Sequence, residues 1–507
     1  MVENWGLGSW PRRRARIAPG DPAIVYEGQT WTYGQLDERV NRLANALIGL
    51  GVGARDRVGF LGPNHPAFVE TMFATCAAGG VFVPLNVRLA AAELAEVVGE
   101  AEVAVLVVTP GLAPLAADLV ERAPVRHVVV AGSEPVGDYA PLERLVAGGS
   151  AHPPHVPIGF DDIAMIMYTS GTTGQLKGVT LSHANLAWNV YNVMIDVDIA
   201  RDEVSLINAP MFHTAALNQT FLPTFIKGGT AVLMSAFDPQ QTLKLIAEYR
   251  VTWMFGVPTM FQALTQAPGW ESADLSSIRA LTAGGAPVPD TLIRTYQARG
   301  LTFMQGYGMT EASPGVLFLQ ARESQRKAGT AGTPCFFTDA EVVDHTGKPV
   351  PPGERGEIRC RGPHVMQGYW NKPDLTRSVL GEDGWLRSGD VAIQDEDGFF
   401  TIVDRVKDMF ISGGENVYPA EIENALSGHP AVADCAVIGV PDQRWGEVGQ
   451  VFVVLLPGRS LTFDDMVQYL QDRLARYKIP KSLTLVDGLP RSAAGKLLKK
   501  QLKNPRV

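Results

Sequence analysis

Residues 163–178 read Ile-Ala-Met-Ile-Met-Tyr-Thr-Ser-Gly-Thr-Thr-Gly-Gln-Leu-Lys-Gly, an apolar run that passes into glycines and small hydroxylated residues. The apolar half is typical of a buried strand. In the other half, small residues leave backbone N–H groups exposed to an anion, hydroxyls add donors and Lys177 adds a cation. It is not a Walker A loop, because two residues separate Gly174 from Lys177. The stretch predicts a strand followed by a phosphate-binding turn, in preference to a flexible surface turn.

Upstream of this stretch, short apolar runs alternate with helix-like segments. Apolar residues recur at helical spacing over residues 34–51, where Gly51 predicts the end of a helix. Alternation of apolar runs with helices is typical of parallel strands that crossover helices bury on both faces. The sequence therefore predicts an α/β fold, with early strands at Val58–Leu61, Val81–Leu85, Val103–Val108 and His127–Val130.

The character of the chain changes after Asp404. The following residues resemble a small α+β unit, whose helices we predict near residues 420–426 and 463–474 and whose strands we predict near 433–440 and 451–456. We therefore expect a large, multi-subdomain N-terminal α/β domain over residues 1–404 and a smaller, mobile α+β domain over residues 405–507.

Composition excludes several classes of protein. The 507 residues are 46% hydrophobic and 19% charged, which supplies a core and argues against disorder. A net charge of −9 gives no electrostatic footprint for nucleic acid. No apolar run reaches the ~20 residues that a transmembrane helix needs. The four cysteines form no Cys-x-x-Cys pair, so we expect neither a zinc site nor a disulfide framework, and a reducing cytoplasm fits best.

A second cluster reads Gly306-Tyr-Gly-Met-Thr-Glu311. Its glycines allow the backbone to approach a flat ligand, Tyr307 offers a stacking face, and Thr310 and Glu311 offer oxygen ligands that suit Mg²⁺. It is not a dinucleotide fingerprint, because glutamate occupies the position of the third glycine. Ala283-Gly-Gly-Ala-Pro287 and Ser388-Gly-Asp390, taken alone, are more often plain turns.

Three further motifs follow in order: Asp404-Arg-Val-Lys-Asp408, Gly413-Gly-Glu-Asn-Val-Tyr-Pro-Ala-Glu-Ile-Glu423 and Pro490-Arg-Ser-Ala-Ala-Gly-Lys496. In this joint order, the chain resembles the adenylate-forming superfamily of acyl-CoA synthetases, peptide-synthetase adenylation domains and luciferases. Ala209-Pro-Met-Phe-His213 is most similar to bacterial fatty-acyl and aryl CoA ligases. The resemblance implies attack of a carboxylate on ATP to form acyl-AMP and pyrophosphate, followed by transfer to CoA, with Mg²⁺ as the metal.

The resemblance also implies a role for each matching residue. Lys496 is implied to be the catalytic lysine, which bridges the carboxylate and the α-phosphate, while Lys407 is the hinge and Thr310 faces the α-phosphate. Thr169 and Glu311 are implied to bind Mg²⁺. The implied ATP- and AMP-binding residues are Thr169, Ser170, Gly171, Thr172, Thr173, Gly174, Lys177, Gly284, Gly285, Ala286, Pro287, Gly306, Tyr307, Gly308, Met309, Thr310, Asp390, Arg405 and Lys496. The implied catalytic residues are Lys496, His213, Thr310 and Glu311, and those that bind CoA are Gly413, Gly414, Glu415 and Trp445.

Plainer interpretations stand beside these roles. Lys496 belongs to a basic run with Lys499, Lys500 and Lys503, which could be solvated charge, and an isolated His213 would more often be a core histidine. With the motifs around them, we favour the functional interpretation. His213 then lines the acyl pocket, where it gates CoA or orients the carboxylate.

The substrate is expected to be a hydrophobic acid, because apolar walls are suggested by Phe212, Ala215, Ala216, Leu217 and Phe221. A monocarboxylic acid is favoured over a dicarboxylic one, because no arginine stands beside His213 to hold a second carboxylate. The polar residues in the same segment are able to hydrogen-bond a functionalised acid; they are Asn208, Thr214, Asn218 and Gln219. The expected partners are this acid, ATP and CoA, and a homodimer is left open. One alternative is an acyl-AMP ligase that loads a carrier protein, although the insertion usual in such relatives is not found. Another is a non-catalytic nucleotide-binding relative, which would have lost Lys496, Glu311 or Asp390, and none is lost.

Overall fold

A computed structural model describes residues 4–170, 176–286, 288–405, 408–412, 415–471, 473–474, 476–491 and 497–503. Of residues 170, 405, 415, 416 and 503 it describes the backbone alone. Within these ranges the strands form four sheets. Three sheets belong to a large N-terminal domain and one to a smaller C-terminal domain, as the predicted α/β class requires. The division between residues 404 and 405 stays a prediction.

The predicted N-terminal strands lie in one eight-stranded sheet of the described chain. Its central strands are parallel, and every residue of Val81–Leu85 and Val103–Val108 is buried. This is the expected result of helices on both faces. In spatial order the strands are Gly368–Tyr369, Leu176–Ser182, Ile163–Ser170, Val81–Leu85, Arg57–Leu61, Val103–Val108, His127–Val130 and Ala140–Pro141.

A nine-stranded sheet of the described residues forms the other half of the large domain. Its strands, in spatial order, are Thr333–Pro334, Gly315–Phe318, Phe303–Gly308, Ala280–Ala283, Trp253–Gly256, Val204–Ile207, Thr230–Leu233, Pro22–Tyr26 and Gln29–Thr32. The helix Pro66–Ala77 is buried at every residue and packs against the eight-stranded sheet on one side and helix Leu222–Lys227 on the other. Its Phe68 contacts the rings of Phe60 and Phe82, and its Phe73 contacts Phe225 on the other side.

An antiparallel four-stranded sheet follows, with strands Asp339–Val343, Arg355–Arg361, Leu386–Gln394 and Phe400–Arg405. The small domain contains strands Glu415–Val417, Phe410–Ser412, Gly446–Leu455 and Val432–Asp442, with Ser482–Leu485 beside the third of them. Its helices Pro419–Ser427 and Phe463–Gln471 pack on this sheet through Ile422, Leu426, Met466 and Leu470. The sequence predicted both helices and both long strands to within a few residues.

The other α-helices in the described ranges lie in the large domain, except Lys499–Lys503, which is the last helix of the small domain. The predicted first amphipathic helix spans Tyr33–Gly49, begins with a capping box of Thr32 and Gln35, and is followed by Gly51 at φ 83°. None of the described helices is long and apolar enough to cross a membrane. The remaining helices are Trp10–Ile17, Ala91–Glu100, Ala113–Val120, Leu142–Gly148, His183–Asp196, Thr214–Ala216, Leu222–Lys227, Pro239–Tyr249, Pro258–Gln266, Asp290–Ala298, Pro373–Val379 and Lys499–Lys503.

Asp196, the last residue of helix His183–Asp196, has a largely buried carboxyl group that affects stability. Burial raises the pKa of Asp196 to about 6, so between pH 4 and 6 the folded chain keeps a proton that the unfolded chain has lost. The free energy of unfolding therefore falls as pH rises from 4 to 6, and the full loss, roughly 2–3 kcal/mol, persists above pH 6. We expect Asp196→Asn to raise Tm at pH 7.5 and to raise it less at pH 4.5, as measured by scanning fluorimetry. The exposed Asp161→Asn is the control, and equal gains at both pH values would contradict the assignment.

Candidate active site

Two antiparallel strands, Ile163–Ser170 and Leu176–Ser182, flank the predicted phosphate-binding segment. In their register Thr169 lies opposite Lys177, and Ser170 lies opposite Leu176. Pairing of these strands therefore places a hydroxyl and an ammonium group side by side. Residues 171–175 between the strands, which include Gly171, Thr172, Thr173 and Gly174, lie outside the described residues.

Glu311 lies in a short 3₁₀ turn, Thr310–Ala312, that follows strand Phe303–Gly308. Its carboxylate Oε1 accepts a hydrogen bond of 2.8 Å from the Tyr369 hydroxyl. The same tyrosine ring has the Lys177 Nζ 5.1 Å from its centroid. One side chain thus contacts residues from both phosphate-related motifs, which are distant in sequence but adjacent in the fold.

The glycine turn at 284–286 lies beside the strand that carries Tyr307. Strand Ala280–Ala283 pairs in parallel with Phe303–Gly308, and a Cβ on Gly284 would meet the Gly306 carbonyl oxygen at 3.0 Å. Gly285 has φ 81°, a conformation that glycine tolerates without strain. This close approach of two backbones explains the need for glycine and brings the turn next to Tyr307. Pro287 lies outside the described residues.

Asp390, which lies in the four-stranded sheet, contacts Tyr307 of strand Phe303–Gly308. The Tyr307 hydroxyl donates to Asp390 Oδ2 at 2.6 Å, and Asp390 is 8% exposed. Burial first, and the Asp390 charge next, raise the pKa of Tyr307 well above its ordinary value, so this hydroxyl stays a donor. Ser388–Asp390 is part of strand Leu386–Gln394, and Arg405 lies opposite Asp390 in register. Gly284, Tyr307 and Asp390, which we predict to bind the nucleoside, are therefore neighbours in the fold.

The segment around His213, which we predict to line the acyl pocket, is held by an asparagine from the loop after strand Arg57–Leu61 of the eight-stranded sheet. Asn64 Nδ2 donates to the carbonyl oxygens of Ile207 and Ala209, while its Oδ1 accepts from the Met211 N–H at 2.8 Å. Neither the residue nor this role was predicted. His213 comes next and caps the short helix Thr214–Ala216, which continues into a π-helical turn, Leu217–Phe221. π-turns inside helices often occur at functional sites.

The apolar side chains of this segment share a core with the adenylate residues. Met211 and Leu217 are fully buried and belong to the cluster that includes Met167 of the phosphate-flanking strand, with Tyr307 and Met309 packed against it. Asn218 of the same segment contacts Met167 directly, so the segment predicted to line the acyl pocket lies beside the strand that leads to the predicted phosphate-binding residues.

Of the residues predicted to bind CoA, Trp445 is described and is 41% exposed. It precedes Gly446, which pairs with Ser412. Ser412 is in turn followed by residues 413 and 414, the first of the predicted CoA-binding residues. Trp445 therefore lies next to the predicted CoA segment. Outside the described residues lie Lys407, Gly413, Gly414 and Lys496, and the side chains of Ser170, Arg405 and Glu415 are likewise not described.

The sequence matches the model of the AMP-binding enzyme family over residues 11–370 and that of the AMP-binding enzyme C-terminal domain over residues 421–496. The chain belongs to the AMP-binding enzyme family. It is 51% identical to a feruloyl-CoA synthase from an Amycolatopsis species over 99% of both chains. It is 40% identical to the indoleacetate–CoA ligase of Aromatoleum aromaticum, over 97% of this chain and 96% of that one.

A solved structure of the family supports the same assignment. The o-succinylbenzoate CoA synthetase of Bacillus subtilis, in complex with its acyl-adenylate intermediate, superposes with a TM-score of 0.88 at 31% identity over 98% of each chain. This member of the AMP-binding enzyme family is an AMP-forming acyl-CoA synthetase. It activates a carboxylic acid with ATP through an acyl-AMP and transfers the acyl group to CoA. The sequence-based prediction of the superfamily and of the enzyme class is confirmed.

The site of this family member fits a magnesium ion that phosphates help to hold. Among the described residues no group of three or more His, Cys, Asp or Glu side chains could hold a metal. Magnesium in nucleotide sites commonly takes only one or two protein oxygens, together with phosphates and water. Glu311 meets that need, because Tyr369 occupies Oε1 and no described residue hydrogen-bonds Oε2.

Proposed function

We propose that the acid activated by this synthetase is a hydroxycinnamic acid, an aryl propenoic acid with a phenolic hydroxyl at its far end. The relative at 51% identity is named for feruloyl-CoA, and the one at 40% for an indole acid. Both names describe an aromatic ring on a short chain that ends in a carboxylate. This proposal narrows the hydrophobic acid expected from the sequence to an aromatic acid with a hydrogen-bond donor.

The observation that carries the proposal is a pair of buried asparagines in the acyl segment. Asn218 is fully buried and Asn208 is 2% exposed. Their amide nitrogens face thioethers, Met167 Sδ at 3.9 Å and Met254 Sδ at 3.1 Å. Neither Oδ1 has a hydrogen-bond partner among the described residues. A buried acceptor without a donor is costly, and a substrate hydroxyl would satisfy it, which a plain fatty acid could not.

We assign the phenol to Asn218. It lies in the π-turn Leu217–Phe221, and Met167, which its amide contacts, precedes Thr169 by two residues in the strand leading to the phosphate segment. An acid that extends from the phosphates along this strand would direct its far end towards Asn218. Ring and propenoic chain would then lie among the apolar side chains of the same core, which include Met211, Leu217 and Phe221.

For the chemistry itself, a carboxylate oxygen attacks the α-phosphorus of ATP and the bond to the pyrophosphate oxygen breaks. Negative charge gathers on the phosphates, and catalysis depends on positioned cations and donors. We propose that Lys177 and residues 169–174 hold the β- and γ-phosphates, that Thr310 faces the α-phosphate, and that Lys496 bridges it to the carboxylate. Thr169 and Glu311 would hold Mg²⁺, which when bound neutralises phosphate charge.

The nucleoside would bind where strands Ala280–Ala283, Phe303–Gly308 and Leu386–Gln394 lie close together. We propose that adenine lies against Tyr307 and the turn at 284–287, and that Asp390 and Arg405 bind the ribose hydroxyls. Support comes from the hydrogen bond that fixes Asp390 to Tyr307, since it sets the ring and the carboxylate in one arrangement. His213 would line the acyl pocket at the carboxylate end.

CoA sulfur then attacks the acyl carbon and AMP leaves. The first step forms a bond at the carboxylate oxygen and the second takes place at the adjacent acyl carbon, so Lys496 and the thiol must reach the same carboxyl group in turn, and rotation of the small domain about Lys407 would exchange them. Gly413, Gly414, Glu415 and Trp445 would line the path of the CoA arm. The adjacency of Trp445 to Ser412 supports a single CoA-facing surface.

The experiment that tests the substrate is a comparison of acids that differ in one group. Wild-type protein should show a higher kcat/KM for ferulate and 4-coumarate than for cinnamate or a saturated fatty acid, as read from CoA- and ATP-dependent thioester formation. In Asn218→Ala the advantage of 4-coumarate over cinnamate should fall about tenfold, because a buried hydrogen bond to the hydroxyl is lost.

Asn192→Ala provides the matched control. Asn192 is also fully buried, but its Nδ2 donates to Thr338 and its Oδ1 accepts from the Phe337 N–H. Its loss should lower stability and leave the ratio of 4-coumarate to cinnamate unchanged. If Asn218→Ala lowered kcat/KM equally for both acids, Asn218 would not recognise the phenol. If wild type preferred the fatty acid, the substrate class itself would be wrong.

A further inference from the structure

Residues 366–372 lie alongside strand Leu176–Ser182, which carries Lys177, and none of them was predicted to belong to the site. Tyr369 pairs with Val179, the Trp370 N–H donates to the Gly178 carbonyl at 2.7 Å, and Thr180 Oγ1 donates to the Gly368 carbonyl at 2.6 Å. The Met366 N–H also donates to the Glu311 carbonyl at 2.8 Å. The segment is therefore joined through its backbone to both phosphate-related motifs.

Tyr369 links the charged side chains of those motifs as well. It is 7% exposed, its hydroxyl donates to Glu311 Oε1 at 2.8 Å, and its ring lies beneath the Lys177 ammonium, 5.1 Å from the centroid.

This arrangement keeps two opposite charges apart. Lys177 and Glu311 both contact Tyr369, yet these two described residues form no ion pair with one another. A direct pair would occupy the ammonium and the carboxylate that must be available to ligands. With the ring between them, each charge has a favourable neighbour that does not neutralise it.

We propose that Tyr369 is a positioning residue of the adenylation site. It fixes Glu311 through Oε1, leaves Oε2 for the metal, and separates this carboxylate from Lys177. The proposal rests on the metal-binding role proposed above for Glu311. Groups that orient a metal ligand typically affect metal affinity about 10–100-fold when removed.

Two variants of Tyr369 separate its contributions. Tyr369→Phe keeps the ring and removes the hydroxyl, so calorimetry should show a weakening of Mg·ATP binding by about tenfold. Binding of ATP with EDTA should stay within about twofold, because the contact with Lys177 is retained. Tyr369→Leu also removes the ring, so Lys177 and Glu311 can pair, and we expect metal-free ATP binding to weaken too.

Tyr296→Phe is the matched control for the loss of a buried tyrosine hydroxyl. Tyr296 is 1% exposed and donates to the Phe261 carbonyl at 2.8 Å in another part of the large domain. It should change Tm about as much as Tyr369→Phe and leave both ATP affinities unchanged. Unchanged Mg·ATP affinity in Tyr369→Phe would overturn the proposal.

Glu311→Gln distinguishes a failure of this proposal from a failure of the proposed metal site. If Glu311→Gln weakens Mg·ATP binding and Tyr369→Phe does not, the role of Tyr369 alone is wrong. If neither variant weakens it, Glu311 does not bind the metal and both proposals fail. If both weaken Mg·ATP binding and spare metal-free ATP, the positioning role is supported.

Discussion

Replacing Lys496 with alanine is expected to lower acid-dependent ATP–pyrophosphate exchange by roughly 10²–10³-fold, since one stabilising group at a site of developing charge contributes about that much. Thioester formation from presynthesised acyl-AMP should stay within about threefold, because the lysine is assigned to the first half-reaction alone. Radiolabelled pyrophosphate exchange measures the first rate, and release of AMP in the presence of CoA measures the second.

The described residues on either side of Lys496 are firmly held on the small domain. Arg491 pairs with Leu497 across a β-bridge, and the Leu498 N–H donates to the Pro490 carbonyl at 2.8 Å. Arg491 also pairs with Asp434 at 2.6 Å, and Lys499 pairs at 2.8 Å with Glu423. These contacts hold Arg491 and residues 497–499 on the small domain, so movement of the small domain would carry these neighbours of Lys496 with it.

Lys500→Ala is the control for Lys496→Ala, because Lys500 is a neighbouring exposed lysine. It should leave both half-reactions unchanged. A normal exchange rate in Lys496→Ala would refute the catalytic role, and an equal fall in Lys500→Ala would show that the basic run acts only through its total charge.

Lys407→Pro is expected to have the opposite effect. Proline fixes φ and removes an N–H, so it should restrict rotation at this position. We expect thioester formation from presynthesised acyl-AMP to fall at least about tenfold, while pyrophosphate exchange changes by no more than about threefold. Rapid-quench measurement of each half-reaction checks both values.

The contacts between the large and small domains show what such a rotation must break. Arg355 of the four-stranded sheet forms an ion pair with Glu421 and lies 4.8 Å from the ring centroid of Tyr418. The Ala420 N–H donates to Asp404 Oδ2 at 2.9 Å. Tyr418 of the small domain also packs against Val391 and Val403 of the four-stranded sheet, so a rotation must separate apolar as well as polar contacts. Lys407→Ala removes the side chain without fixing φ and should behave like wild type; equal loss of both half-reactions in Lys407→Pro would argue against a hinge.

Much of this fold could be predicted because its strands carry local patterns. Val81–Leu85, Val103–Val108 and His127–Val130 have the predicted bounds, since each is a short apolar run between helix-forming segments. The phosphate-binding role of residues 169–178 was also predicted from local chemistry, because glycine and hydroxyl residues after a buried strand suit an anion, and this role stays a prediction.

Tyr369 and Asn64 could not be predicted in the same way. Each acts by joining segments far apart in sequence: Tyr369 joins residues 177 and 311, and Asn64 joins the loop after strand Arg57–Leu61 to residues 207–211. Such roles depend on sheet order and register, which no local spacing reveals. A sequence signal existed in the aromatic pair Tyr369-Trp370 after Gly368, but nothing in it indicated Glu311 as the partner.

The π-turn at Leu217–Phe221 has an evolutionary implication. A π-turn accommodates an extra residue within a helix, so gain or loss of a single residue there would change which side chain faces the proposed acyl pocket without moving the flanking helices Thr214–Ala216 and Leu222–Lys227. Nucleotide chemistry can thus be inherited unaltered while preference for the organic acid diverges, and a small indel is enough to start a new specificity.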